Sequence, residues 1–103
     1  MSKKTNQDVT QLRAIGHKLK PVVTIAGKGL TEGVIAELDR ALNDHELIKV
    51  KLAVGSREAR TEIARQISEQ SKAEVVQSIG NIILLLRRSA TPDPRLSNLI
   101  KPL

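Results

Sequence analysis

Apolar positions along the chain fall into alternating helical and extended patterns. Starting at Val9, residues Leu12, Ile15, Gly16 and Leu19 share one helical face, and Arg13, His17 and Lys20 form a neighbouring stripe at i, i+4 and i+7. Pro21 stops this helix and pushes Lys20 toward an extended conformation, so residues 22–25, mostly β-branched, predict a short strand. After a glycine-containing loop, Thr31 is positioned to cap a second helix. That helix buries Val34, Ile35, Leu38, Ala41 and Leu42 and breaks at Asn43-Asp44-His45-Glu46. Residues 47–54 alternate strictly, Ile48, Val50 and Leu52 facing one way and Lys49, Lys51 and Ala53 the other, which predicts a half-buried strand with a basic open face. Ser56 is the expected cap of a third helix. Its buried side is Ala59, Ile63, Ala64 and Ile67, with Arg57, Arg60 and Arg65 projecting elsewhere and the pattern fading near Lys72. Residues 74–79 and 82–87, joined by Gly80-Asn81, read as a hairpin whose turn residues tolerate positive φ.

The expected order is therefore α-β-α-β-α-β-β, an α+β domain with a mixed four-stranded sheet and helices packed against it, the helical crossovers right-handed. A chain of 103 residues accommodates one such core. Residues 1–8, with Lys3 and Lys4, read as a flexible arm. Residues 9–88 form the folded domain, and residues 89–103 a tail without period, with Leu96, Leu99 and Ile100 as its candidate docking points.

Charge narrows the partner classes. The net charge of +6 favours polyanions, and its distribution is uneven: residues 1–30 carry six Lys/Arg against one acid, residues 31–46 five acids against one Arg. Cysteine is absent, which removes disulfides, thiolate metal sites and thiol nucleophiles together. Phe, Tyr and Trp are absent as well, so bases cannot be stacked on aromatic rings and contact with the nucleic-acid backbone becomes the favoured mode. No apolar run has transmembrane length and the start is polar, so a cytoplasmic protein without membrane contact is expected.

The stretch Ile25-Ala26-Gly27-Lys28-Gly29-Leu30-Thr31-Glu32-Gly33 joins a strand to a helix N-terminus and holds one cation between two glycines, an arrangement suited to phosphate. It is not a nucleotide motif. A Walker loop needs glycine where Val22 stands and Ser or Thr where Gly29 stands, and the dinucleotide fingerprint needs glycine at Glu32. By themselves, the glycines require no more than a tight turn. His17 and His45 lack metal-ligand spacing, and no nucleophile-base or paired-carboxylate arrangement stands out; neither enzyme activity, cofactor nor small-molecule substrate is expected. Lys49 and Lys51 offer a phosphate row or simply solvate a sheet face. The acids Glu37 and Asp39 on the second helix leave open a protein-interaction module.

Three blocks in register, Leu12-Arg13-Ala14-Ile15-Gly16-His17-Lys18-Leu19-Lys20-Pro21-Val22-Val23, Gly29-Leu30-Thr31-Glu32-Gly33-Val34 and His45-Glu46-Leu47-Ile48-Lys49-Val50-Lys51, resemble the CRM domain. The resemblance is greatest to its stand-alone bacterial form, the YhbY family of ribosome-associated RNA-binding proteins, and runs from about Leu12 to Arg88. It implies a fold related to the C-terminal domain of translation initiation factor three. It further implies association with ribosomal RNA of the pre-large ribosomal subunit and an RNA-binding G-x-x-G loop aligned with Ala26-Gly27-Lys28-Gly29; a monomer is expected. Ala26 stands in place of the first glycine, and a positive φ there would cost on the order of 1 kcal/mol. The expected RNA-binding set is Arg13, His17, Lys18 and Lys20; Ala26, Gly27, Lys28, Gly29 and Thr31; and Lys49 and Lys51.

Overall fold

The computed structural model describes residues 8–100. The elements are α1 (Val9–His17), β1 (Pro21–Ile25), α2 (Glu32–His45), β2 (Leu47–Leu52), α3 (Arg57–Ser71), β3 (Glu74–Ile79) and β4 (Ile82–Leu86). Their order is the expected one. The expected arm falls mostly outside the described residues, as does the end of the expected tail. Asp8, assigned to the arm, instead caps α1. Its carboxylate accepts from the Gln11 amide at 2.8 Å while the Gln11 side chain accepts from the Asp8 amide at 2.9 Å, a reciprocal capping box. Thr31 and Ser56 cap α2 and α3 as their positions predict, accepting from Val34 and Ala59.

The sheet is four-stranded in the order β1-β2-β4-β3, with β1 and β2 parallel and both β2–β4 and β3–β4 antiparallel. Both crossovers, β1-α2-β2 and β2-α3-β3, step in the same direction across the sheet, so crossovers of one hand place both helices on one face. Leu38, Leu42 and Ile67 from those helices meet Val23, Ile25, Ile48, Val50, Leu52, Ile83 and Leu85 there in the main core.

α1 lies on the opposite face. Leu12 packs with Leu47, Leu84 and Leu86, supported by Ile15 and Leu19, in a second, smaller core. β4 is therefore covered on both sides, which accounts for its uninterrupted Ile-Ile-Leu-Leu-Leu sequence. This arrangement alters one expectation: the face of β2 carrying Lys49 and Lys51 is not open along its length. Leu47 is fully buried under α1, and Lys49 is only half exposed.

Residues 89–100 are docked, mainly through polar groups. The Glu46 carboxylate, only 3% exposed, accepts from the Ser89 amide and from the Ser97 hydroxyl at 2.6 Å. Asn98 donates through its side chain to the Leu47 carbonyl at 2.7 Å and through its amide to the His45 carbonyl at 2.9 Å. His45 Nδ1 donates to the Leu96 carbonyl at 2.8 Å, a structural role. Of the three apolar docking points expected, Leu99 joins the α1-side core, whereas Leu96 and Ile100 remain exposed.

Candidate nucleic-acid interface

β1 and β2 end at the same edge of the sheet, and the β3–β4 turn joins them there. The Ala53 amide bonds to the Ile25 carbonyl and the Leu52 amide to that of Asn81. The loop 26–31, the N-terminus of α3 and the Gly80 turn thus share one end of the molecule. In the loop, the Gly29 amide donates to the Ala26 carbonyl at 2.9 Å, closing a tight turn, and Gly29 has φ +74°. Positive φ among the described residues is confined to Gly29, Gly80, Glu46 and Lys72, so Ala26 carries no left-handed strain. The cost of replacing the first glycine does not arise, because Ala26 has no positive φ and serves the turn through its carbonyl alone. Gly27 is exposed and open space surrounds it, with nothing within 4 Å of a Cβ placed there. Lys28 stands exposed between these glycines, and Thr31 beyond them directs its hydroxyl to the α2 cap.

A second cluster sits on the α1 face. Arg13 and His17, one helical turn apart, line a groove of about 460 Å³ together with Lys49, Gln77, Ile82 and Leu84. Lys51 follows Lys49 on the same face of β2, nearer the loop end, with Thr24 and Ile82 as its register partners. Of the remaining two cations, Lys20 separates from the expected helical stripe. α1 ends at His17, Lys18 is its C-cap, and Lys20 lies in the connection just before β1. At roughly 3.3 Å per residue, β1 spaces Lys20 about 17 Å from the loop. The basic residues therefore extend from Lys18 and Lys20 at one end, through the Arg13–His17–Lys49 groove, to Lys51 and Lys28 at the other.

Arg57 and Arg60, which the sequence does not single out, line a polar groove of about 480 Å³ with Thr61, Ser78 and Gly80 at the loop end. Only the pairing of α3 with the hairpin turn brings these residues together. Asp39, a candidate docking acid, is bound by Arg87 at 2.7 Å and belongs to the architecture. Among the described residues, no group of three or more His, Asp or Glu side chains is placed to hold a metal ion, and no helix is long and apolar enough to cross a membrane.

Fold and surface together define a small α+β module with a cationic flank and a glycine-lysine loop where a strand meets a helix. The chain belongs to the CRS1/YhbY (CRM) domain family, whose model matches residues 5–87. It is 50% identical over 95 residues to a Pseudomonas aeruginosa protein named "Probable RNA-binding protein", covering 92% of this chain and 91% of that one. To a Haemophilus influenzae protein named "RNA-binding protein" it is 51% identical over 78 residues, 76% of this chain and 79% of the other. The solution structure of a hypothetical protein from Staphylococcus aureus superposes with a TM-score of 0.71 at 32% identity, covering 81% of this chain and 86% of that one.

Proposed function

We propose that this protein binds structured RNA through its phosphate backbone, and that its target is large-subunit ribosomal RNA in assembling particles of the cytoplasm. Family membership and the names its relatives carry support RNA binding, and the resemblance to the stand-alone YhbY form supports the ribosomal target. The observation that carries the backbone mode is the convergence of Arg13 and His17 from a helix with Lys49 from a strand on one groove, with Lys51 next along the strand. No Phe, Tyr or Trp accompanies them, so attraction to phosphate supplies the grip. Gly27 adds a place where backbone approaches backbone without steric hindrance, beside the Lys28 cation.

Crosslinking in cell extract tests this reading. Adducts between residues 13–30 and large-subunit ribosomal RNA are expected. A dominant protein adduct through Glu37 would instead support docking on a ribosomal protein or assembly factor, and overturn the proposal.

A further inference from the structure

The groove between α1 and the sheet is not a plain phosphate site. Its floor is apolar, made by Leu84 and the partly exposed Ile82, and the 64%-exposed Ile79 stands at its edge. Ala14, small and exposed, leaves the α1 side open. Arg13 and Lys49 place cations on opposite sides of the rim, His17 stands one turn from Arg13, and no acid lines it. The side chains of Arg13, His17, Lys49 and Gln77 make no hydrogen bond or ion pair to another described residue.

From this juxtaposition we propose that the groove accepts a single unpaired nucleotide extruded from an RNA helix, its base on the Ile82–Leu84 floor and its phosphate at the cationic rim. The inference rests on the RNA-binding reading and adds a base-binding pocket to the backbone contacts. A volume of about 460 Å³ lies within the roughly 300–1,000 Å³ of sites that enclose a small ligand. Arg13 replaces the missing aromatic platform, because a planar guanidinium stacks on a base while its charge faces phosphate. Gln77 offers both an amide donor and an acceptor to the edge of a base. An apolar floor has no use for a phosphate alone, and an acid-free rim carrying Arg13 and Lys49 disfavours a basic peptide.

The test compares two RNA hairpins with the same stem, one fully paired and one with a single-nucleotide bulge, in fluorescence anisotropy at one salt concentration. The full-length protein is expected to bind the bulged RNA about fivefold more tightly, the lower end of what base stacking contributes. Ala14→Leu, which fills the groove from an exposed position with an aliphatic side chain that offers no ring to a base, should bring that ratio toward one, and Gln77→Ala should reduce it. Lys28→Ala should weaken both RNAs and leave the ratio unchanged. In parallel, the Ile82 and Leu84 methyl resonances should shift with the bulged RNA and not with the paired one. Equal affinity for the two RNAs, or a preference undiminished in Ala14→Leu, overturns the pocket while leaving RNA binding intact. Failure to bind either RNA overturns both. Competition by an acidic peptide that produces the same methyl shifts would assign the groove to a protein partner and overturn the proposal.

Discussion

Gly16 lies so close to Leu84 that a Cβ placed on it would be 2.7 and 2.8 Å from the two leucine methyl carbons. This contact sets the height of α1 above the sheet. It therefore sets the depth of the groove beside it, whose floor includes the same Leu84. Leu84 is 2% exposed and packed among Leu12, Leu47 and Leu86, which limits how far it can yield.

Gly16→Ala is accordingly expected to destabilise the protein, although alanine is the better helix former. Overpacking costs about 1–3 kcal/mol, against a propensity gain of about 1 kcal/mol. A net loss of about 1 kcal/mol lowers the melting temperature by roughly 4–8 °C in a domain of this size. Combining the change with Leu84→Val in a double-mutant cycle should reveal coupling of about 0.5 kcal/mol or more. Strict additivity would show that α1 does not rest on Leu84.

The two glycines of the loop should respond differently. Gly29, at φ +74°, is expected to lose about 1–2 kcal/mol on replacement by alanine. Gly27 has ordinary φ and open surroundings, so Gly27→Ala should leave the denaturation midpoint nearly unchanged. Restoring the family glycine with Ala26→Gly should bring no gain in stability, since Ala26 contributes its carbonyl and has no positive φ to relieve.

Glu46 combines backbone strain with a buried carboxylate, and two substitutions separate these effects. Its φ of 64° favours glycine, while its side chain holds Ser89 and Ser97. Both Glu46→Ala and Glu46→Gly should loosen residues 89–100, seen as faster amide exchange at Ser97 and Asn98. The glycine variant should remain about 1 kcal/mol more stable than the alanine one. Ser97→Ala, which leaves one carboxylate oxygen without that hydroxyl donor in a buried setting, should cost about 1–3 kcal/mol.

Arg87 joins three elements through one planar group. Nη1 donates to Asp39 Oδ1 and to the Ser71 carbonyl, each at 2.7 Å, and Nη2 to the Asp39 carbonyl at 3.1 Å and Asn43 Oδ1 at 3.0 Å. Lysine retains the charge and loses the fork. Arg87→Lys is therefore expected to destabilise by about 1–2 kcal/mol in urea denaturation, and an unchanged midpoint would contradict the role.

Most of the fold was legible because its periods are clean: the α2 stripe, the alternation of β2 and the Gly80-Asn81 hairpin each point to one element. The caps at Thr31 and Ser56 were equally plain. The face that α1 occupies was not legible, since Leu12, Ile15 and Leu19 would fit either side of the sheet. Nor was the docking of residues 89–100, which runs through Ser97 and Asn98, and polar residues carry no hydrophobic period. In the candidate site, Arg13 and Lys49 could be named from charge and His17 from its place in the Arg13 stripe. Their convergence depends on where α1 settles, and Gly16 against Leu84 is a contact between residues far apart in the chain. Lys20, at i+7 of the stripe begun by Arg13, leaves it because the helix ends at His17. Arg57 and Arg60 had no local signal beyond their charge.

The central claim, that cations grip the RNA backbone, is tested most directly by the salt dependence of binding to a paired RNA stem. If about five side chains neutralise phosphates, the logarithm of affinity should fall with the logarithm of salt concentration at a slope of roughly −4 to −5, and Lys28→Ala should flatten it by up to about one unit. An isotherm that does not change between low and high salt would contradict the account.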